Sequence, residues 1–197
     1  MAATGCPHVP KLDPRVRRTR KLLEDAFRAL LAEKPFSKIS VGDIAERATV
    51  NRATFYAHFD DKVHLAATML RGDLEAAALA RLTPETRLTA ESLTQVAEAI
   101  FEFMDRAHGA CPKGNDEFAP VFVTTLQEAI EGFLRTWLDH DREGARAFHG
   151  ATKETIATVL SWSLFGAAFR WSRLRQRPPA AQAAREVIQL FLNRPQR

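Results

Sequence analysis

The stretch "SVGDIAERATVNRATFYAHFDDK", residues 40–62, holds two short amphipathic patterns separated by a break. Ser40 is a favourable N-cap, and Val41, Ile44, Ala45 and Ala48 then recur on one face of a helix. The break "TVN" ends in Asn51, a second good cap, ahead of "RATFYAHF". Neither helix is long enough to be stable alone, so each must be held by packing. Two such helices joined by a tight turn predict a helix-turn-helix, with small Ala45 permitting close approach and Val50 plugging the junction.

On a helical wheel, Phe55 and Phe59 share the inward face, while Ala53 and Ala57 point almost directly away. Tyr56, the chain's single tyrosine, stands on one shoulder; Thr54 and His58 stand on the other. Arg52 occupies the first turn and Lys62 lies just past the last. An outer ridge of methyl groups with polar shoulders suits a helix pressed into the major groove of DNA. There the first turn reaches base edges and the shoulders meet phosphate. Taken singly, Tyr56 and His58 are ordinary half-exposed residues; the combination with a helix-turn-helix and a basic segment points to nucleic acid.

Outward from this stretch, the chain reads as helix after helix. In "LDPRVRRTRKLLEDAFRALLAEKPF", Asp13 caps and Pro14 opens a helix whose apolar face is Val16, Leu23, Phe27 and Leu30, with Pro35 ending the pattern. Further helices are expected over 62–81, about 90–107, about 119–138, from near Thr152, and over the segment bounded by Pro178, Pro179 and Pro195. No strand-like alternation, repeat or low-complexity tract interrupts them, and the fold class is all-α.

Charge is unevenly placed. Through His64, 12 Lys and Arg face 8 Asp and Glu; beyond it the two balance, so the net charge of +4 resides in the first third. A focused positive patch favours a polyanionic partner, or is simply a solvated helix surface. No apolar run reaches the roughly 20 residues needed to span a bilayer, and the first residues carry no signal-peptide pattern, so a cytoplasmic location without membrane association is expected. Cys6 and Cys111 form no disulfide or metal framework, and neither a metal nor a cofactor is expected.

Through "SVGDIAERATVNRATFYAHFDDKVHL" the chain resembles the tetracycline-repressor (TetR) family over about residues 15–65. Its Ile-Ala, its Thr-Phe-Tyr-x-His-Phe and the following Lys carry the likeness together. The resemblance implies that the third helix is the recognition helix, with base contacts around Arg52, Ala53 and Ala57. It also implies phosphate contacts from Ser40, Thr54, Tyr56, His58 and Lys62. Where the family often has Ala-Gly-Val, this turn reads Ala48-Thr49-Val50; a left-handed Thr49 would cost roughly 1–2 kcal/mol. Also implied are residues 1–64 as DNA-binding domain, with 1–12 a flexible tail, and residues 65–197 as a domain that binds an effector and dimerises. The expected activity is that of a homodimeric repressor, released from double-stranded operator DNA by a small molecule.

Within the second part, Phe103, Met104, Phe122, Leu126 and Trp137 are candidates to line an effector pocket, although residues at that spacing also build ordinary core. In "SWSLFGAAFRW", Gly166 and Ala167 among Trp162, Phe165 and Phe169 suit either a dimer interface or packing within one chain. The arginines at 170, 173, 175 and 177 favour the negative end of that helix and stay solvated. The loop "HGACPKGNDEF" pairs His108 with Cys111, and Asp116 could add a ligand, but no second pair completes a metal set. An enzyme or a protein-interaction module using that loop is the competing class; no nucleophile–base or paired-carboxylate signature supports it.

Overall fold

A computed structural model describes residues 13–83, 86–110, 119–141, 143–144, 148 and 151–192. The described residues form α-helices and short 3-10 turns, with no strand among them.

Helix α1 (Pro14–Glu33) begins where Asp13 accepts a hydrogen bond from the Arg15 amide at 2.8 Å, and it buries Leu23, Ala26, Phe27 and Leu30. A 3-10 turn, Phe36–Lys38, follows and tucks Phe36 edge-on against Phe27, centroids 6.1 Å apart. Helix α2 (Val41–Arg47) starts with a capping box. The Asp43 amide donates to the Ser40 hydroxyl, and the Ser40 amide donates back to the Asp43 carboxylate. Helix α3 (Arg52–Tyr56) is capped by Asn51, whose side-chain oxygen accepts from the Thr54 amide at 2.6 Å.

Helices of seven and five residues gain little from their own hydrogen bonds. Their stability comes from a shared core in which Phe27, Ile44, Phe55, Phe59 and Leu65 are buried. Each such phenylalanine contributes on the order of 1.5–3 kcal/mol. Helix α4 (Lys62–Leu79), capped by Asp61, leaves this cluster and runs into the remaining helices.

Those are α5 (Ala90–Ala110), α6 (Ala119–His140), α7 (Lys153–Ser172) and α8 (Ala180–Leu192). Helix α4 packs on α5 and α6, α6 on α7, and α5 on both α7 and α8. Leu93, Val96, Ala97, Ile100 and Met104 of α5 are all buried, as their spacing predicts. Helix α5 runs to Ala110, so the start of "HGACPKGNDEF" is helical rather than loop. Its remainder, with Cys111 and Asp116, lies outside the described residues, as does the side chain of His108. The Asp141 carboxylate closes α6 by accepting from the Leu88 amide at 2.7 Å and the Gly144 amide at 2.9 Å. Bonds from Gly144 and then Leu88 hold that carboxyl below its usual range. At Gly144 a Cβ would come within 2.8 Å of the Leu88 carbonyl, so a larger residue would push the two segments apart.

Candidate nucleic-acid interface

The helix-turn-helix closes through a turn whose geometry the sequence makes costly. Thr49 has φ 57° and is the one non-glycine residue with positive φ among the described residues. The threonine therefore carries the left-handed strain anticipated for it. The turn is repaid by the Val50 amide, which donates to the Ala45 carbonyl at 2.9 Å and draws half-buried Val50 onto the core.

Helix α3 sorts its side chains by direction. Phe55 and Phe59 are buried at 0% and 1% exposure, whereas Arg52, Ala53, Tyr56 and Ala57 face solvent. The helix is shorter than its sequence pattern suggests. It ends at Tyr56 with Ala57 as C-cap, and the His58 and Phe59 amides both return to the Phe55 carbonyl at 2.9 Å. His58 thus sits in the turn, half-buried, and its carbonyl accepts from Arg20 of α1 at 3.2 Å.

The polar shoulders divide into groups that are free to donate and groups already engaged. Ser40 is exposed, and its hydroxyl is engaged with Asp43, accepting from that residue's amide and bonding its carboxylate. The Tyr56 side chain is exposed, and its hydroxyl has no partner among the described residues. Thr54 is half-buried and donates its hydroxyl to Asn51 at 3.0 Å.

Lys62 is the shoulder group most fully engaged within the protein. Its ammonium donates to the carbonyls of Phe36 and Ile39, each at 2.9 Å, with Ser37 at 3.5 Å, and it lies 4.5 Å from the Phe36 ring centre. Lys62 thereby pins the start of α4 to the turn between α1 and α2.

Further ion pairs brace α2 against α1. Lys34 donates to Asp43 at 2.8 Å, and Arg47 grips Glu33 through two bonds of 2.7 and 2.6 Å. The Lys34 ammonium, with the Ser40 hydrogen bonds, lowers the Asp43 carboxyl to about 2. The Arg47 bond likewise lowers that of Glu33.

Gly42 was not singled out from sequence, yet a Cβ there would stand 2.6 Å from Nη2 of Arg52. The missing side chain lets Arg52 lie along the first turn of α2. A glycine inside a seven-residue helix, where it costs stability, was the available clue. Arg15, Arg17, Arg18 and Lys21 are exposed on α1 and supply the charge run seen in the sequence. Among the described residues, no group of three or more His, Cys, Asp and Glu is placed to hold a metal ion. None of their helices is long and apolar enough to cross a membrane.

With this geometry in view, residues 23–69 match the profile described as bacterial regulatory proteins, tetR family. Over that stretch the chain is similar to the TetR family. A curated relative, the HTH-type transcriptional regulator YxbF of Bacillus subtilis strain 168, is 42% identical over 62 residues. That match takes in 31% of this chain and 16% of the relative, so the chain spans only a small part of that protein's length. Among solved structures, the TetR-family repressor QsdR of R. erythropolis superposes with TM-score 0.63 at 16% identity, over 89% of this chain and 95% of that one. The fatty acid degradation regulator FadR of Bacillus halodurans gives TM-score 0.58 at 18% identity, over 92% and 96%. At such identities the likeness is one of fold alone, and it runs from the matched head through the remaining helices.

The carboxy-terminal candidates separate in the same way. Phe103, Met104, Phe122 and Leu126 are buried side chains of the core, whereas Trp137 lines a cavity of about 680 Å³ between α4 and α6. On α7, Trp162 is 53% exposed, Gly166 is exposed with open space beyond it, and Ala167 and Phe169 are half-buried. Phe165 is buried within its own chain, stacked on Phe169 with centroids 5.7 Å apart and edge-on to Trp162 at 6.4 Å. It supports the exposed indole rather than forming outer surface. Of the arginines after α7, Arg177 bonds Asp105 of α5 at 2.6 Å and lies over the Trp171 ring, so it fastens the turn to α5 rather than remaining purely solvated.

Proposed function

We propose that the chain is a ligand-responsive, DNA-binding transcriptional regulator, acting as a homodimeric repressor that a small molecule releases from its operator. One observation carries the reading: α3 buries two phenylalanines and turns outward a face of arginine, alanines and tyrosine. The alanines let backbone approach the floor of a major groove. Arg52 is long enough to offer paired donors to a guanine edge, and Tyr56 has a hydroxyl suited to phosphate. The exposed cations of α1 add long-range attraction.

Residues up to about 64 act as the reading head in this account, and the later helices as effector and dimerisation unit. The dimer surface is the outer face of α7 and α8, where Val159, Trp162 and Leu190 are 48%, 53% and 82% exposed. A two-fold pair of heads reads two half-sites. An effector acts by binding one separation of the heads more tightly than the other, since a ligand with equal affinity for both shifts nothing. The test is selection of duplexes from a random pool. The expected outcome is an enriched sequence with two-fold-related halves, bound with an affinity that falls steeply as salt rises; a pool that yields no enriched sequence would defeat the reading.

A further inference from the structure

We infer that the cleft between the carboxy-terminal halves of α4 and α6 binds a small organic cation with a flat apolar body. The inference deepens the regulator reading by giving its effector a chemical class and a place.

The cleft has a volume of about 680 Å³, within the range of small-molecule sites. Leu79 and Leu82 form one wall; Phe133 and Trp137 form the other, their rings 6.1 Å apart and tilted by 56°. The Trp137 indole donates its N–H to the Thr86 carbonyl at 3.1 Å. That bond fixes the ring and uses its only donor, so what it can offer an occupant is its π face. Leu79 is 59% exposed despite its size.

Several polar groups at the cleft present acceptors. Nδ1 of His140 lies 2.7 Å from the Thr136 carbonyl, which can only accept. Nδ1 therefore carries a proton and donates it to that carbonyl. The Thr136 hydroxyl donates to the Gly132 carbonyl at 2.9 Å, which leaves its oxygen to accept. Glu75 completes the set with an exposed carboxylate that has no ion-pair partner among the described residues. Neighbouring acids do have partners: Glu128 pairs with Arg71, and Glu98 and Glu102 pair with Arg81. Among the described lining residues the Glu75 carboxylate is thus left without an ion-pair partner, the walls are apolar, and two aromatic rings border the cleft. A positively charged nitrogen on an aromatic body satisfies all three features through the Glu75 charge and the ring faces; an anion meets only repulsion.

The experiment is isothermal titration of the full chain, without DNA, with three naphthalene probes of nearly one shape: naphthylmethylamine, naphthylmethanol and naphthoate. The amine should bind about tenfold or more tighter than the alcohol, with naphthoate weakest. Glu75→Gln, shown to be folded by its circular dichroism, should bring the amine to within about twofold of the alcohol. Phe133→Leu should weaken amine and alcohol alike. The inference is overturned if the amine does not bind, if alcohol or naphthoate binds as tightly as the amine, or if Glu75→Gln keeps the preference for the amine. Duplex selection is a separate measurement, so loss of the regulator reading and loss of this site would be seen independently.

Discussion

Helices α3 and α7 both turn a face to solvent, and the two faces have opposite chemistry. Helix α3 shows Arg52, Ala53, Tyr56 and Ala57, groups that water solvates well or that are too small to matter. Helix α7 shows Val159 and Trp162 beside Gly166, and water solvates that indole and isopropyl group poorly. At about 25 cal/mol per Å² of apolar surface, the second face gains by being covered permanently. The first gains only when a charged, grooved partner arrives, and its gain fades with salt. A regulator needs both kinds of surface: one that keeps two copies together, and one that can let go.

The comparison breaks most decisively at α7. Replacing Trp162 and Val159 together with glutamate should cost on the order of 2–4 kcal/mol of association and yield monomers in sedimentation. An unchanged dimer mass would move the interface elsewhere.

At the other face, a middle-sized effect separates holding from gripping. Lys62→Met strands carbonyls that a charged donor now satisfies, and should lower the head's stability by about 1.5–3 kcal/mol in thermal unfolding. The salt dependence of duplex binding should keep its slope, because no phosphate contact is lost; a slope reduced by roughly one charge per subunit would return Lys62 to the DNA surface.

The smallest effect concerns the turn. Thr49→Gly removes a left-handed penalty but adds unfolded-state freedom, so a net gain of up to about 1 kcal/mol is expected, read as a modest rise in melting temperature. A loss of stability would mean that the Thr49 side chain contributes more than its backbone costs.

The head was legible because short helices must declare their ends and their core. Ser40 and Asn51 cap where the sequence places them, and Phe55 and Phe59 are buried where the wheel sets them. Lys62 was not legible as a brace, since its partners are backbone carbonyls some 25 residues away, and carbonyls leave no residue-type signature. Gly42 was missed for a related reason: its role is to be empty beside Arg52. In the bundle, helical spacing located the apolar faces of α5 and α6 but could not say which apolar residue borders a cavity. Phe103, Met104, Phe122 and Leu126 share a pattern with Trp137, yet only Trp137 of the five lines the α4–α6 cleft. Which side of a buried helix meets a neighbour and which meets a void depends on the crossing of α4 with α6, a long-range property.

The central claim is that the outer face of α3 reads bases, and Arg52→Ala tests it most directly. The measurement is binding of the native chain and the variant to the selected duplex and to every single-base change within it, at fixed salt. The account predicts a loss of roughly 1–3 kcal/mol on the preferred duplex, with discrimination relaxed at one base position in each half-site and retained at the others. A loss of equal size on every duplex, with the base preference intact, would contradict it.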